Sequence, residues 1–460
     1  MRRGNTLCAF ALALALSLAA QPANAAGPGG AAARTEAIRQ EIMPRVAQLR
    51  GLEFSRDVPV NVVTSGQLAS YVCGTIDEQM TADEMKGFQR LLAHMGLIEP
   101  GIDLRATLIR VYSQQIAGFY DDEQKVFSIV SNSNMPRVLD EVTIAHELTH
   151  ALQDQHYDLE GLRVMTEDAD DAALAVMALA EGDACDLMMR YGTDYYARGA
   201  GPVKDFSPFI SFSTGAENIP ALPMVLAQNL VFPYAYGSRF VVALMREAGD
   251  RAVDWAFVDP PVSTEQIMNP QKYFNRDEPL DIRLPDAPGD IPEGWRLLDQ
   301  SSLGQFNLGL FLANSLGMWG IEEAIRPWKG DVIAGYAGPA DDDFVFVYYS
   351  TWDSSEAAME FTRTYRRALQ TRFGDLRLVR DDGARVTWMK GEFLYYLSVR
   401  GPDVLAVENA PLVSAARFIM NAWNAEKTPL GIVCPVADRD RIQPPGAKRR
   451  RPKLPEPAGQ

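Results

Sequence analysis

The sequence is short of basic residues and has no long apolar run, and both shortages exclude a class of protein. Its 460 residues include 44 Lys and Arg against 60 Asp and Glu, which gives a formal net charge of −16. Such a surface repels nucleic acid. The apolar run at 7–20 is too short to span a bilayer, so we expect no stable membrane insertion. The hydrophobic fraction of 47% is nonetheless typical of folded, globular domains.

Cysteine is scarce as well. Cys8 lies in the apolar run, and only Cys73, Cys185 and Cys434 follow it. Three cysteines allow at most one intramolecular disulfide bond, for which Cys73–Cys434 is a candidate pair. A chain of this length can bury a core large enough to fold without such bonds.

The first 25 residues have the layout of a secretory signal peptide. Arg2 and Arg3 supply a positively charged start. An apolar core at 7–18 and a small-residue cleavage site at 23–25 follow. The alternative is a short anchor that stays uncut, but the apolar core falls short of a membrane span. We predict cleavage after Ala25 and a mature chain that is secreted or periplasmic.

The N-terminal part of the mature chain is predicted to be mainly helical. Residues 26–34 are rich in Gly, Pro and Ala and indicate a flexible start. Residues 35–290 form the first predicted domain, with long helices at 140–156 and 170–197. Two β-rich runs around a polar turn predict a hairpin at 116–130, directly before the first of these helices.

The pattern changes in the C-terminal part. The proline-rich stretch 259–294 is typical of a meandering linker. Beyond it, residues 295–440 alternate strand and helix patterns and predict a separate domain, so the whole chain is of the α+β class. Strands are expected near 331–337, 343–350, 385–390, 392–399 and 403–408, and helices near 303–317, 354–373 and 411–424. The Pro-rich, basic residues 441–460 predict a disordered tail.

The four histidines are the most informative residues, because three of them fall within eleven positions. His146-Glu147-Leu148-Thr149-His150 is an HExxH pattern on a predicted helix. Residues four apart share one face of a helix, so His146 and His150 can bind one Zn²⁺. Glu147, next to the first histidine, can reach a water on the metal. We therefore predict a zinc site with Glu147 as general base.

Two residues compete to be the third zinc ligand. His156 stands where HExxHxxGxxH enzymes place theirs, but Gln153 replaces the glycine that turns the chain back to the metal. On a continuous helix His156 lies about 240° around the axis from His150, so we expect it to bond to backbone. Glu181, on the next helix, lies among apolar residues, where a carboxylate is costly to bury without a metal or partner charge. We predict Glu181.

The motifs together resemble a known clan. HExxH followed by Ala180-Glu181-Gly182-Asp183-Ala184 is similar to the gluzincins, the thermolysin-like and aminopeptidase-like zinc metallopeptidases. Tyr234-Ala235-Tyr236-Gly237 resembles the Tyr-x-x-Gly segment of the aminopeptidase-like branch. Residues 116–190 resemble uncharacterised bacterial secreted proteins of the metallopeptidase class, and the run 263–270 looks like part of the same group. The resemblance covers about 60–285 and implies a mainly helical, gluzincin-like domain with a small sheet. It also implies that 126–130, just before the HExxH helix, is an edge strand that could pair with an extended peptide.

The resemblance also implies roles. Tyr234 would stabilise the oxyanion, with Tyr236 as the alternative and a role in the core as the structural explanation. Cys185 takes the place, one turn after Glu181, where some related enzymes have a carboxylate that orients a ligand histidine. Three other residues could supply that function: Asp154, Asp183 and Asp186.

These predictions combine into a secreted zinc metallopeptidase. Zinc held by His146, His150 and Glu181 would activate a water, Glu147 would accept its proton, and a peptide or protein would be the substrate. Two alternatives stay open. One is a catalytically inert, zinc-containing protein that binds peptides, and the other is a cell-envelope scaffold. Substrate specificity and oligomeric state are not predicted.

Overall fold

The structure, a computed structural model, describes residues 28–431 apart from 117, 131–136, 167–168, 199–221, 288 and 341. The predicted signal peptide at 1–25 and the predicted basic tail at 441–460 lie outside the described residues, as does Cys434 of the candidate pair Cys73–Cys434. Within them, no helix combines the length and the apolar character that crossing a membrane requires.

Helices dominate the N-terminal part. In chain order its elements are α1 (Pro28–Arg50), β1 (Val60–Val63), α2 (Ser65–Gln79), α3 (Ala82–His94), α4 (Leu104–Gln115), β2 (Gly118–Asp121), β3 (Val126–Val130), α5 (Arg137–Tyr157), α6 (Leu159–Met165), α7 (Asp170–Ala197), α8 (Met224–Ala248) and α9 (Asp250–Val258). Helix α1 begins inside the segment 26–34 that was expected to be flexible. Proline is tolerated in a first turn and the alanines that follow favour a helix, which explains the difference.

The small sheet has the strand order β1-β3-β2. Strand β3 pairs in parallel with β1 and antiparallel with β2. The predicted hairpin is confirmed, but the expectation that 126–130 forms an edge strand is wrong, because both edges of β3 are paired. Helix α5 packs on this sheet through a buried apolar cluster that includes Phe127, Ile144 and Leu148.

The segment 259–294 is more ordered than the predicted linker. It contains α10 (Thr264–Met268), α11 (Pro270–Phe274) and β4 (Leu280–Arg283). The Thr264 hydroxyl donates a hydrogen bond of 2.5 Å to Asp171 at the start of α7, and Lys272 pairs with the buried Glu265 at 3.0 Å. The first contact anchors the run 263–270 against α7, and the second joins α11 to α10.

The C-terminal part is a large antiparallel sheet with helices on both faces. Its elements are β5 (Arg296–Ser301), α12 (Gly304–Leu316), α13 (Ile321–Ile325), β6 (Trp328–Ala337), β7 (Phe344–Trp352), α14 (Ser355–Phe373), β8 (Arg377–Asp381), β9 (Arg385–Lys390), β10 (Phe393–Arg400), β11 (Asp403–Pro411), α15 (Leu412–Ala422) and β12 (Glu426–Pro429). Seven strands follow the order β5-β6-β7-β11-β10-β9-β8. Strand β8 was missed, because all five of its residues are exposed and show no apolar alternation.

The predicted α+β class is confirmed, but the two parts share a core. One buried apolar cluster runs from Leu68 in α2 to Ala406 in β11. It joins one face of the large sheet to α3, α7 and α8 through α12. Strand β12 pairs with β4, from the stretch expected to be a linker. The C-terminal part, which the sequence pattern indicated as a domain of its own, packs against the rest of the molecule through this cluster.

Candidate metal centre

Helix α5 presents the HExxH residues on its buried side. His146 and Glu147 are 1% and 0% exposed, and His150 is also buried. The two imidazole rings meet edge to face, with centroids 4.8 Å apart, as expected for residues one helical turn apart. The apolar neighbours Ile144 and Leu148 pack towards the small sheet and hold the helix in place.

Helix α7 brings Glu181 to the same point. Glu181 Oε2 lies 3.1 Å from His146 Nε2 and 3.5 Å from His150 Nε2, and the two Nε2 atoms are 3.2 Å apart. Tetrahedral zinc with bonds of about 2.0–2.1 Å places its ligand atoms roughly 3.3–3.5 Å from one another. The three atoms lie close enough together that one metal ion could bind all of them.

Two glycines allow α7 to approach α8 closely. A Cβ atom at Gly182 would overlap the backbone of Gly237, and one at Gly237 would overlap the carbonyl oxygen of Ala178. These glycines belong to the Glu-Gly-x-Ala and Tyr-x-x-Gly motifs, so the two motifs meet at one helix crossing. Glu181 directly precedes Gly182 in the chain, and Tyr234 lies three residues before Gly237, so both residues belong to the helices that cross here.

The two tyrosines of α8 lie in different surroundings. Tyr234 is buried, and its ring lies nearly parallel to that of His146 with centroids 6.4 Å apart. Tyr236 instead stacks on Phe232 at 5.0 Å and contacts Phe306. The structure thus brings Tyr234 next to the histidines and turns Tyr236 into the shared core.

His156 is turned away from the other histidines. It is exposed, and its Nε2 lies 2.8 Å from the backbone oxygen of Glu53. This is the backbone contact at the end of the helix that its rotation around the axis predicted. The described residues that could share a metal ion are His146, His150 and Glu181.

In the sequence, Gln153 was notable only because it stands where HExxHxxGxxH enzymes have glycine. In the structure its side chain contacts His150 and α7. Its Oε1 lies 2.9 Å from His150 Nδ1, and its Nε2 donates to Asp183 Oδ2 and to the backbone oxygen of Ala180, both at 2.9 Å. The i to i+3 spacing from His150 was the signal that could have identified it, since such residues share a helix face.

The carboxylates named as candidates to orient a ligand histidine are engaged elsewhere, with one exception. Asp154 bonds to Tyr120, Arg56 and Lys125, and Asp186 pairs with Arg190. Cys185 is buried, and burial raises the pKa of its thiol. Asp183 is the exception, because it reaches His150 through Gln153.

Burial disfavours the charged form of each ionisable group in the centre, so by itself it lowers the pKa of the histidines and raises the pKa of the glutamates. Burial by itself would raise the pKa of Glu181, but His150 and the hydrogen bonds from both histidines outweigh it and lower the pKa. The Glu181 carboxylate in turn raises the pKa of His150 against the effect of burial. Burial raises the pKa of Glu147 to about 8, and the negative charge of Glu181 adds to that effect. The buried position of Glu181 therefore favours a compensating positive charge beside its carboxylate.

Comparison with known proteins informs only the C-terminal part. Residues 296–420 match a family described as a domain of unknown function, DUF8575. The match begins at the first residue of β5 and ends within α15, so it covers the large sheet and not the His-Glu cluster. No curated protein and no solved structure matches the chain.

Proposed function

We propose that this chain is a secreted or periplasmic zinc metallopeptidase. One observation carries the proposal: a nitrogen from His146, a nitrogen from His150 and an oxygen from Glu181 lie within 4.8 Å of one another, and Glu147 is buried beside them. The gluzincin-like motifs support peptide-bond hydrolysis, and the signal-peptide layout of 1–25 supports export.

His146, His150 and Glu181 would hold the zinc ion. Their donor set fits, because the ion-pair partners of Glu181 among the described side chains are the two imidazoles, with no Lys or Arg in competition. When bound, zinc supplies a Lewis acid that polarises a carbonyl oxygen and lowers the pKa of water. Its positive charge would also offset the cost of burying Glu181.

Glu147 would move the proton. No described side chain hydrogen-bonds to either of its carboxylate oxygens, so the carboxylate is available for a substrate or water. A carboxylate oxygen would take the proton of the attacking water and pass it to the nitrogen of the leaving amine. Tyr234 would donate its hydroxyl hydrogen to the carbonyl oxygen as negative charge develops there.

An extended peptide would bind beside Glu147 along β2. With β3 paired on both edges, β2 is the edge strand of the hairpin. Helix α5, which carries Glu147, packs against β2, and the backbone of Tyr120 in β2 acts to lower the pKa of the Glu147 carboxyl. An extended substrate could add to this edge through main-chain hydrogen bonds.

The experiment compares zinc content and peptide hydrolysis in two variants. We expect one zinc per wild-type chain by elemental analysis, and none in His146→Ala. Glu147→Gln should keep its zinc and lose hydrolysis by about a hundredfold or more, since it removes only the proton acceptor. Glu160→Gln is the matched control, because Glu160 lies in α6 and pairs with Lys125 at 3.6 Å.

Each outcome decides between the proposed functions. Full hydrolysis in Glu147→Gln would exclude the mechanism. A zinc-loaded wild type that cleaves neither unfolded protein nor a peptide library would favour the inert peptide-binding protein or the cell-envelope scaffold. A wild type that takes up no zinc would exclude the metal site itself.

A further inference from the structure

Gln153 has its amide orientation determined by its neighbours. Its Nε2 faces two acceptors, the Asp183 carboxylate and the Ala180 carbonyl, so that end of the amide must donate. The opposite end, Oε1, then accepts from His150 Nδ1 at 2.9 Å. His150 thus carries a hydrogen on Nδ1, which leaves Nε2, on the side of Glu181, as the nitrogen that would bind a metal ion.

Asp183 is held in turn by the end of α1. Arg50, the last residue of α1, is 1% exposed and forms an ion pair of 2.9 Å with the equally buried Asp183. Arg50 also pairs with Asp254 at 2.8 Å, and Asp254 accepts a hydrogen bond of 2.7 Å from Tyr157. A buried pair of this kind has few alternative positions, because moving either charge leaves the other unpaired.

His146 has no such support among the described residues. Its Nδ1 is buried without a hydrogen-bond partner. Cys185 stands one turn after Glu181 on α7, where an orienting carboxylate was sought, and a neutral thiol is at most a weak acceptor. Of the two histidines, therefore, His150 is the one whose ring is held by a hydrogen bond to its Nδ1.

We infer that Gln153 is a positioning residue for His150, and that the Arg50–Asp183 pair holds Gln153 in place. This inference rests on the proposed metal site. It makes the N-terminal helix α1 part of the support of that site, because Arg50 reaches the histidine through two side chains. Because His150 already has the required tautomer and ring position, no free energy would be needed to change either of them before its Nε2 binds zinc.

The test measures zinc affinity by competition with a chelator. Gln153→Met keeps the length of the side chain and removes its three hydrogen bonds, and we expect about 10- to 100-fold weaker zinc binding. Gln155→Met is the matched control on the same helix, since Gln155 bonds only to the 55–56 loop, and its zinc affinity should equal wild type. Asp183→Asn should weaken binding less than Gln153→Met.

A second measurement does not depend on any variant. With only four histidines in the chain, ¹⁵N-labelled imidazoles can be assigned by NMR. We expect zinc-loaded wild type to show His150 protonated at Nδ1. Protonation at Nε2, or an unchanged zinc affinity in folded Gln153→Met, would overturn the inference while leaving the zinc site intact. A wild type without zinc binding would instead overturn the proposed function, so the two failures are distinguishable.

Discussion

Tyr234 and Tyr236 are two residues apart on α8, yet of the two only Tyr234 lies beside His146. A helix turns about 200° over two residues, so the two side chains cannot share one face. At the scale of single residues, this rotation separates a candidate oxyanion donor from a core aromatic residue. From the sequence alone, either tyrosine could have been the oxyanion donor.

Tyr234→Phe should slow peptide hydrolysis while zinc content stays at the wild-type level. The hydroxyl is proposed to act on charge that appears only during the reaction, so its loss should lower kcat more than it raises KM. Removing one such donor costs roughly a hundred- to a thousandfold in kcat. Tyr236→Phe is the control, and the assignment fails if that variant alone slows turnover or if neither does.

We predict opposite effects on zinc content for substitutions of Glu181 and of His156. Glu181→Ala should lose zinc, because it removes one of three protein ligands. His156→Ala should keep zinc, since its imidazole contacts the Glu53 backbone at the helix end. Zinc content by elemental analysis checks both, and the reverse result would reassign the third ligand to His156.

At the scale of elements, the crossing of α7 and α8 determines the geometry of the site. The helices meet at Gly182 and Gly237, where no side chain separates the two backbones. The position of β3 in the sheet likewise depends on a strand far away in the chain. Strand β1, at 60–63, pairs with β3 in parallel. Neither contact has a local signal, because each joins residues more than fifty positions apart.

Gly237→Ala should therefore destabilise the protein and weaken zinc binding together. The added methyl group overlaps the Ala178 carbonyl, so the helices must separate and carry Glu181 away from the histidines. We expect a loss of about 1–3 kcal/mol or more in the free energy of unfolding, measured with urea. Gly74→Ala in α2 is the control, because its Cβ would meet nothing within 4 Å, and it should be neutral or stabilising. Wild-type stability in Gly237→Ala would show that the two helices leave room for a methyl group at position 237.

At the scale of the whole molecule, a buried charged cluster joins α3 to the large sheet. Glu408 in β11 is 0% exposed and contacts Arg372 at 2.6 Å, Tyr365 at 2.6 Å and His94 Nε2 at 3.0 Å. His94 ends α3, and its ring lies among phenylalanines of the C-terminal part. The cluster and the shared apolar core make the two parts one packed unit.

Arg372→Met should destabilise the whole protein, because it leaves the Glu408 charge buried and without its strongest partner. Breaking such a pair costs about 3–5 kcal/mol. Arg363→Met on the same helix is the control, since Arg363 is exposed and pairs with an exposed Glu360, and exposed pairs contribute about 0–1 kcal/mol. Urea unfolding measures both variants, and equal effects would contradict the role of the cluster.

The same carboxylate predicts a pH dependence. Burial would raise the pKa of Glu408, but Arg372 and His94 outweigh it and lower the pKa to about 2. The stabilisation is therefore complete above the ordinary glutamate pKa of about 4.5 and is lost as the pH falls towards about 2, because the unfolded chain binds the proton first. Glu408→Gln should flatten this part of the stability profile in acid unfolding, and an unchanged slope would show that other groups cause it.

Much of the candidate site follows from the sequence, because its chemistry depends on local helical geometry. The spacing of His146, Glu147 and His150 places two imidazoles on one helix face wherever the helix lies, and the same geometry turns His156 away. The cost of burying Glu181 among apolar residues also follows from residue type and periodicity. The α+β class and most helices come from patterns of the same short range.

The tertiary structure alone decides what joins distant parts of the chain. Local periodicity carries no information about which strand pairs with β3, that Gly182 meets Gly237, or that Arg50 reaches Asp183 across 133 positions. It also cannot show that the segment 259–294 folds against α7, or that both parts share a core. These contacts depend on complementary surfaces that exist only once the helices and sheets have packed, so they appear in the fold and not in the pattern of residues.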